Sequence, residues 1–253
     1  MRIALLVPGT TTENLQAVTS AELSAQASLS SQTVVECVPL RTDLEFTGSF
    51  YEDLVLEMYL ADAGIPAPEH GFDAVVIDSV TDGAMQALRA RLSIPVIGSA
   101  QASYVTALML GQRFSVVTTW AGWNHAHERS LASYGLRHKC ASIQALYPRD
   151  QLAQARAWRP QGQPEVLAGA ISRALADGAD VIVLGSSTMR GATVLADTGP
   201  AGLPVIDPGA VALKLAETVL SMGLSHSKAA YPAPKELLDY QIFSLPTITG
   251  ASE

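Results

Sequence analysis

The chain has 253 residues, 48% of them hydrophobic and only 16% charged, with a mean hydropathy of +0.22. That composition excludes a disordered polyelectrolyte, and the length suffices for one large domain or two lobes with cores of their own. Sixteen basic against 24 acidic side chains leave a formal charge of −8, which argues against nucleic acid or an anionic membrane surface as partner.

The first apolar run, IALLV after Arg2, is ended by Pro8 and Gly9 before a signal-peptide core is complete. No later stretch reaches the roughly 20 apolar residues of a membrane span, so a cytoplasmic protein is expected. Further strands are predicted at 33–38, 74–78, 96–98, 115–118, 140–145, 181–185 and 205–207, after a first at 3–7. Helical periodicity falls between them at 82–92, 122–134, 164–176 and 209–222, and the stretch FYEDLVLEMYLADAG lies within an otherwise irregular 41–71. Strands alternating with helices predict an α/β fold with mainly parallel sheets. Cys37 and Cys140 are the only cysteines, both in strand-like apolar settings, and are read as reduced core thiols. His125 and His127 stand two apart on a predicted helix and so point to different faces, which is poor zinc geometry. One of them could still serve as a base near a site loop. PGTTT lacks the spacing and lysine of a phosphate loop, so neither metal nor cofactor is expected.

The second half of the chain echoes the first. DAVVIDS (73–79) has the layout of DVIVLGS (180–186), an acid, a strand and a serine at its end. IPVIG (94–98) matches LPVID (203–207), and the Arg-led first strand matches the one opened by Arg113. The three offsets are 107, 109 and 111 residues, which points to duplication. In parallel sheets ligands bind beyond the carboxyl ends of strands, where the repeat places Ser79 and Ser186. Asp78 and Asp82 flank Ser79 as candidate bases. For the serines and for Asp82 the competing role is capping or charge-balancing a helix start. Thr10, Thr11 and Thr12 after Pro8 and Gly9, which are read with them as a substrate-binding loop, and Thr118 and Thr119 after the fifth strand, are symmetry mates in the repeat. They offer hydroxyls and backbone N–H groups to a carboxylate or imide oxygen, as do Ser187 and Thr188.

At these residues the chain resembles the aspartate/glutamate racemase superfamily, and within it the hydantoin racemase branch. The strings that carry the likeness are MRIALLVPGTTTENL, DSVTDGAMQALRARLSIPVIG, RFSVVTTWAG, VIVLGSSTMRG and GLSHSKAAYPAP. The resemblance implies two pseudo-symmetric α/β lobes, each a mainly parallel sheet flanked by helices, with the active site in the cleft between them. The first lobe would comprise 1–98 with 208–253, and the second 99–207. It also implies a cofactor-independent proton transfer beside a carbonyl by two opposed cysteines, a small-molecule substrate and an oligomer. The family's first cysteine maps to Ser79, with Asp82 in register, and its second to Ser186 after Gly185; Gly9 stands where the family carries asparagine. Isolated serines are weak acids and nucleophiles. Three readings stay open: an isomerase of a small hydantoin, cyclic imide or amino-acid derivative, a hydrolase of a small cyclic amide using Ser79 or Ser186, or a protein that only binds its ligand. The last would include a racemase trapped by Cys-to-Ser substitution.

Overall fold

The computed structural model describes residues 1–12, 26, 29–159, 162–186, 189 and 202–248. In chain order the elements are β1 Arg2–Leu6, β2 Val34–Cys37, α1 Phe50–Gly64, β3 Ala74–Ile77, α2 Met85–Arg91, β4 Val96–Gly98, α3 Ser99–Leu110 and β5 Phe114–Trp120. They continue with α4 Asn124–Ser133, β6 Cys140–Tyr147, α5 Leu152–Ala157, α6 Pro164–Ala176, β7 Val181–Leu184, β8 Val205–Ile206, α7 Pro208–Ser221 and α8 Asp239–Phe243. By packing, the chain divides into two compact units, Met1–Ser99 with Ala212–Glu253, and Ala100–Val211.

Each unit holds a four-stranded, all-parallel sheet, ordered β2-β1-β3-β4 in the first and β6-β5-β7-β8 in the second. The order explains the sequence pattern. Central strands of a parallel sheet are covered on both faces and so read as continuous apolar runs. Ile3–Leu6, Ala74–Ile77 and the whole of β5 are buried. In the second unit the two sheet faces pack separately. Phe114, Val116, Val181 and Val183 join Tyr104 and Leu131 on one face, while Val117, Ile182 and Leu184 join Trp158, Leu167 and Ile171 on the other.

In the first unit the C-terminal segment secures the elements that carry the candidate site. Lys228 Nζ donates to the carbonyls of Arg89, Ala90 and Leu92 at 2.8, 3.2 and 2.6 Å, closing the open end of α2 with a cation where the helix dipole favours one. Arg41 pairs with Asp62 at 2.8 and 2.6 Å and donates to the carbonyls of Leu245, Phe243 and Ile242 around the end of α8. Ser49 caps α1: its Oγ accepts from the Glu52 backbone N–H at 3.3 Å, while the Glu52 carboxylate accepts from the Gly48 N–H at 2.8 Å.

Several elements depart from the periodicity, among them the short helices α5 and α8, which have no predicted counterpart. The helix expected from Asp82 begins at Met85, because Asp82 and Ala84 both take positive φ, 47° and 61°, and hold the chain out of helix until then. Helix α3 has no predicted counterpart. Its apolar residues face both ways, with Tyr104 and Ala107 buried and Val105 and Met109 exposed, so it shows no amphipathic period. The helix expected over 122–134 opens instead with a short 3-10 turn, Ala121–Trp123. Among the described residues no helix is long and apolar enough to cross a membrane.

Candidate active site

The register of the two sheets gives Ser79 and Ser186 equivalent places. Leu6 pairs with Ile77, and Asp78 N–H donates to the Leu6 carbonyl at 2.9 Å; Val117 pairs with Leu184, and Gly185 N–H donates to the Val117 carbonyl at 2.6 Å. Each serine therefore stands two residues beyond its strand and one beyond the last ladder bond. Both are buried.

In the first unit the chain turns sharply after Ser79. Asp82 N–H donates to the Ser79 carbonyl at 3.2 Å, and Met85 N–H to the Asp82 carbonyl at 3.1 Å. The hydroxyls of Ser79 and Thr81 lie 3.1 Å apart, and Thr81 Oγ1 accepts from Gly83 N–H at 3.1 Å. From the start of α3, Ser99 Oγ donates to the Ser79 carbonyl at 3.2 Å. Asp82 is buried in left-handed backbone, a conformation that costs a non-glycine residue about 1–2 kcal/mol. Its carboxyl lies over Gly98, where a Cβ would fall 2.4 Å from Asp82 Cγ and 2.7 Å from Met85 Sδ. The N-cap of α2 is Ala84, with no side-chain cap and no acid in the first turn, so neither Ser79 nor Asp82 serves the helix as cap or first-turn charge. Strain of this kind collects at functional sites.

The loop after β1 leaves the same sheet edge beside β3. Gly9 takes φ +81°, and Thr10 Oγ1 donates to the Val7 carbonyl at 2.6 Å while accepting a weak contact from Cys37 Sγ at 3.7 Å. Thr10 thus staples its own loop. Thr11 is buried and bridges to Leu40, leaving Pro8 and Gly9 half-buried at the tip.

In the second unit Thr118 Oγ1 donates to the Gly185 carbonyl at 3.2 Å, and Thr119 Oγ1 is buried without a hydrogen-bond partner among the described residues. By register Thr118 corresponds to Val7, so the threonines of the two loops are not equivalent as the repeat alone implied. Met189 N–H donates to the Ser186 carbonyl at 3.1 Å. Ser187 and Thr188, expected to bind substrate, lie outside the described residues.

The histidines separate clearly. His125 Nδ1 lies 2.7 Å from the Gly122 carbonyl, while His127 is buried, with Nδ1 3.2 Å from the Tyr104 hydroxyl and Nε2 against Gly185. Burial pushes His127 down to about 4, the Gly185 backbone opposing and His125 adding to the shift. His226, in the tail of the first unit, accepts at Nε2 from Val96 N–H at 2.7 Å; burial, then Arg89, push it down to about 4 as well. Among the described residues no three of His, Cys, Asp and Glu are grouped to hold a metal ion. Neither cysteine stands near a serine position in sequence: Cys37 ends β2, and Cys140 begins β6 with its thiol pushed up by burial to about 11. Sequence reading missed Gly98 and Tyr104, whose parts depend on contacts across the fold.

A family model described as Asp/Glu/hydantoin racemase matches residues 3–216. A hydantoin racemase of Pseudomonas sp. (strain NS671) is 31% identical over 252 residues, covering 93% of this chain and 94% of that protein. One of Rhizobium meliloti is 34% identical over 178 residues, 68% of this chain and 71% of that protein. Among solved structures, allantoin racemase from Klebsiella pneumoniae superposes with a TM-score of 0.79 at 26% identity, covering 94% of this chain and 95% of that one.

Proposed function

The chain belongs to the Asp/Glu/hydantoin racemase family, and from that premise we propose that it inverts the ring carbon beside a carbonyl in a hydantoin-type cyclic ureide, without a cofactor. The similar hydantoin racemases and the allantoin racemase share that ring in their named substrates. The carbon between a ring nitrogen and a carbonyl is acidic because its conjugate base spreads charge onto oxygen. Inversion then requires one group to take the proton from one face and another to return a proton to the opposite face.

The observation that carries the residue assignment is the register equivalence of Ser79 and Ser186, each two residues beyond its strand. We assign these two as the proton-transfer positions. A serine hydroxyl needs an activating neighbour. In the first unit the Ser79 hydroxyl lies 3.1 Å from that of Thr81, and the same turn carries the strained, buried Asp82. Asp82 is assigned as the base that takes the Ser79 proton. Pro8, Gly9 and Thr11, and Thr119 with a hydroxyl that has no hydrogen-bond partner among the described residues, are assigned to the substrate's polar edge. The buried thiols of Cys37 and Cys140 suit a reducing cytoplasm.

Proton NMR in D2O on single enantiomers of 5-substituted hydantoins, with optical rotation in parallel, tests the reading. The expected result is loss of the ring α-proton signal and of rotation with no new product. Ring-opened products, or no exchange with any hydantoin, would overturn it.

A further inference from the structure

The ring of His127 lies against the residue that precedes Ser186. A Cβ on Gly185 would fall 2.9 Å from His127 Nε2 and 3.0 Å from Cε1, so the imidazole rests on the α-carbon of the glycine. The other sides of Gly185 are held too. Its N–H donates to Val117 and its carbonyl accepts from Thr118 Oγ1. Behind His127 stands Tyr104, whose hydroxyl lies 3.2 Å from Nδ1 and whose ring stacks on Phe114 with centroids 5.3 Å apart. A continuous line of contact thus runs from α3 through Tyr104 and His127 to the backbone that delivers Ser186.

Packing alone does not account for the histidine. Nε2 is buried against Gly185, whose backbone opposes the effect of burial on the ring, and it makes no geometrically complete hydrogen bond among the described residues. A polar ring held on one side by Tyr104 and set against the Gly185 backbone on the other, where an aliphatic side chain of similar volume would fill the space, points to a role beyond packing. We propose that His127 is a positioning residue for Ser186: fixed by Tyr104, its ring sets the backbone of Gly185 and so aims the serine that follows. The proposal rests on the assignment of Ser186 as a proton-transfer position, and its test has an arm that does not. Because burial keeps the imidazole neutral until pH falls to about 4, the ring presents one charge state at neutral pH.

The substrate-free arm compares hydrogen–deuterium exchange by mass spectrometry in the full wild-type chain, Tyr104→Phe and His127→Asn. Tyr104→Phe keeps the stack on Phe114 and removes only the hydroxyl, so it serves if His127→Asn fails to fold. Amides of 181–186 should exchange about tenfold faster in the variants, with β1 and β3 unchanged. In the second arm, α-proton exchange of each hydantoin enantiomer, kcat should fall about tenfold with KM held within about twofold. Inversion must slow equally in both directions because the enantiomers are isoenergetic, so the asymmetry is read in deuterium exchange that returns the starting enantiomer, which should fall for the one enantiomer whose proton Ser186 takes. Unchanged amide exchange at 181–186, or an equal loss of non-inverting exchange for both enantiomers, would overturn the proposal. A wild type inactive on every hydantoin, with variants that still loosen 181–186, would defeat the functional reading and leave the positioning of the segment supported.

Discussion

The carboxyl of Asp82 rests directly on Gly98: a single carbon added to that glycine would lie 2.4 Å from Asp82 Cγ and 2.5 Å from Oδ1. The last residue of β4 is therefore what leaves room for the acid in the turn after β3. Both ends of the contact belong to the first unit, and both are buried.

Gly98→Ala should therefore act on activity more than a core methyl normally would. Overpacking of this kind costs about 1–3 kcal/mol, to be read from urea denaturation. Asp82 must also leave its place, so α-proton exchange should fall about tenfold or more even where the variant is fully folded. A variant with lowered stability and unchanged exchange would remove Asp82 from the chemistry.

Restoring thiols at the two serine positions gives a second prediction. A thiol ionises near ~8.5 and is a far better proton carrier than an unassisted hydroxyl. Ser79→Cys combined with Ser186→Cys should raise the racemisation rate about tenfold or more, with a rate that climbs between about pH 6 and 9 as the thiolates form. Polarimetry on a single hydantoin enantiomer reads it directly. A double variant slower than wild type would show that this chain runs its proton transfer through other groups.

Acid should destabilise the fold before its carboxylates protonate. His127 and His226 are held near 4, below the ordinary value of 6.5. In that interval the unfolded chain binds protons that the folded chain does not, so stability rises with pH there. The contribution is complete above about pH 6.5 and is lost as pH falls toward 4, at roughly 3 kcal/mol for the fully buried His127. His226→Gln keeps an acceptor for Val96 N–H and cannot titrate. Urea melts across the interval should show a shallower decline in that variant than in wild type.

Arg41 is predicted to hold the C-terminal segment. Its guanidinium joins Asp62, whose side chain is 10% exposed, to the carbonyls after α8. Arg41→Ala strands that acid without its partner and should cost about 3 kcal/mol. Limited proteolysis should then cut within 239–248 well before the strands. Equal protease resistance in the two proteins would assign the segment's anchoring to Arg91–Asp239 instead.

What could be read in the sequence follows from locality. Buried parallel strands need unbroken apolar runs, so 3–7, 74–78 and 181–185 were visible as strands. The repeat placed a serine beyond the third strand of each sheet, where the register now sets both at one distance from the last ladder pair. The likeness to the racemase family was carried by short strings at those same strand ends and is matched by the comparisons over residues 3–216. Helix α3 and the late start of α2 were not visible. The first lacks a polar face, and the second is delayed by positive φ at Asp82 and Ala84, which side-chain type does not announce.

By itself the sequence determined the α/β class, the duplication and the two serine positions, because each is written in the order of residues along one strand and the turn that ends it. Only the tertiary structure decided that Asp82 lies on Gly98, that Thr10 and Thr118 turn their hydroxyls inward to backbone carbonyls, and that His127 packs against Gly185. The last joins residues 58 positions apart in the chain. Contacts of that kind arise from the packing of a helix on a strand it does not adjoin in sequence, and no local pattern of hydrophobicity or turn chemistry encodes which side chain will meet which glycine.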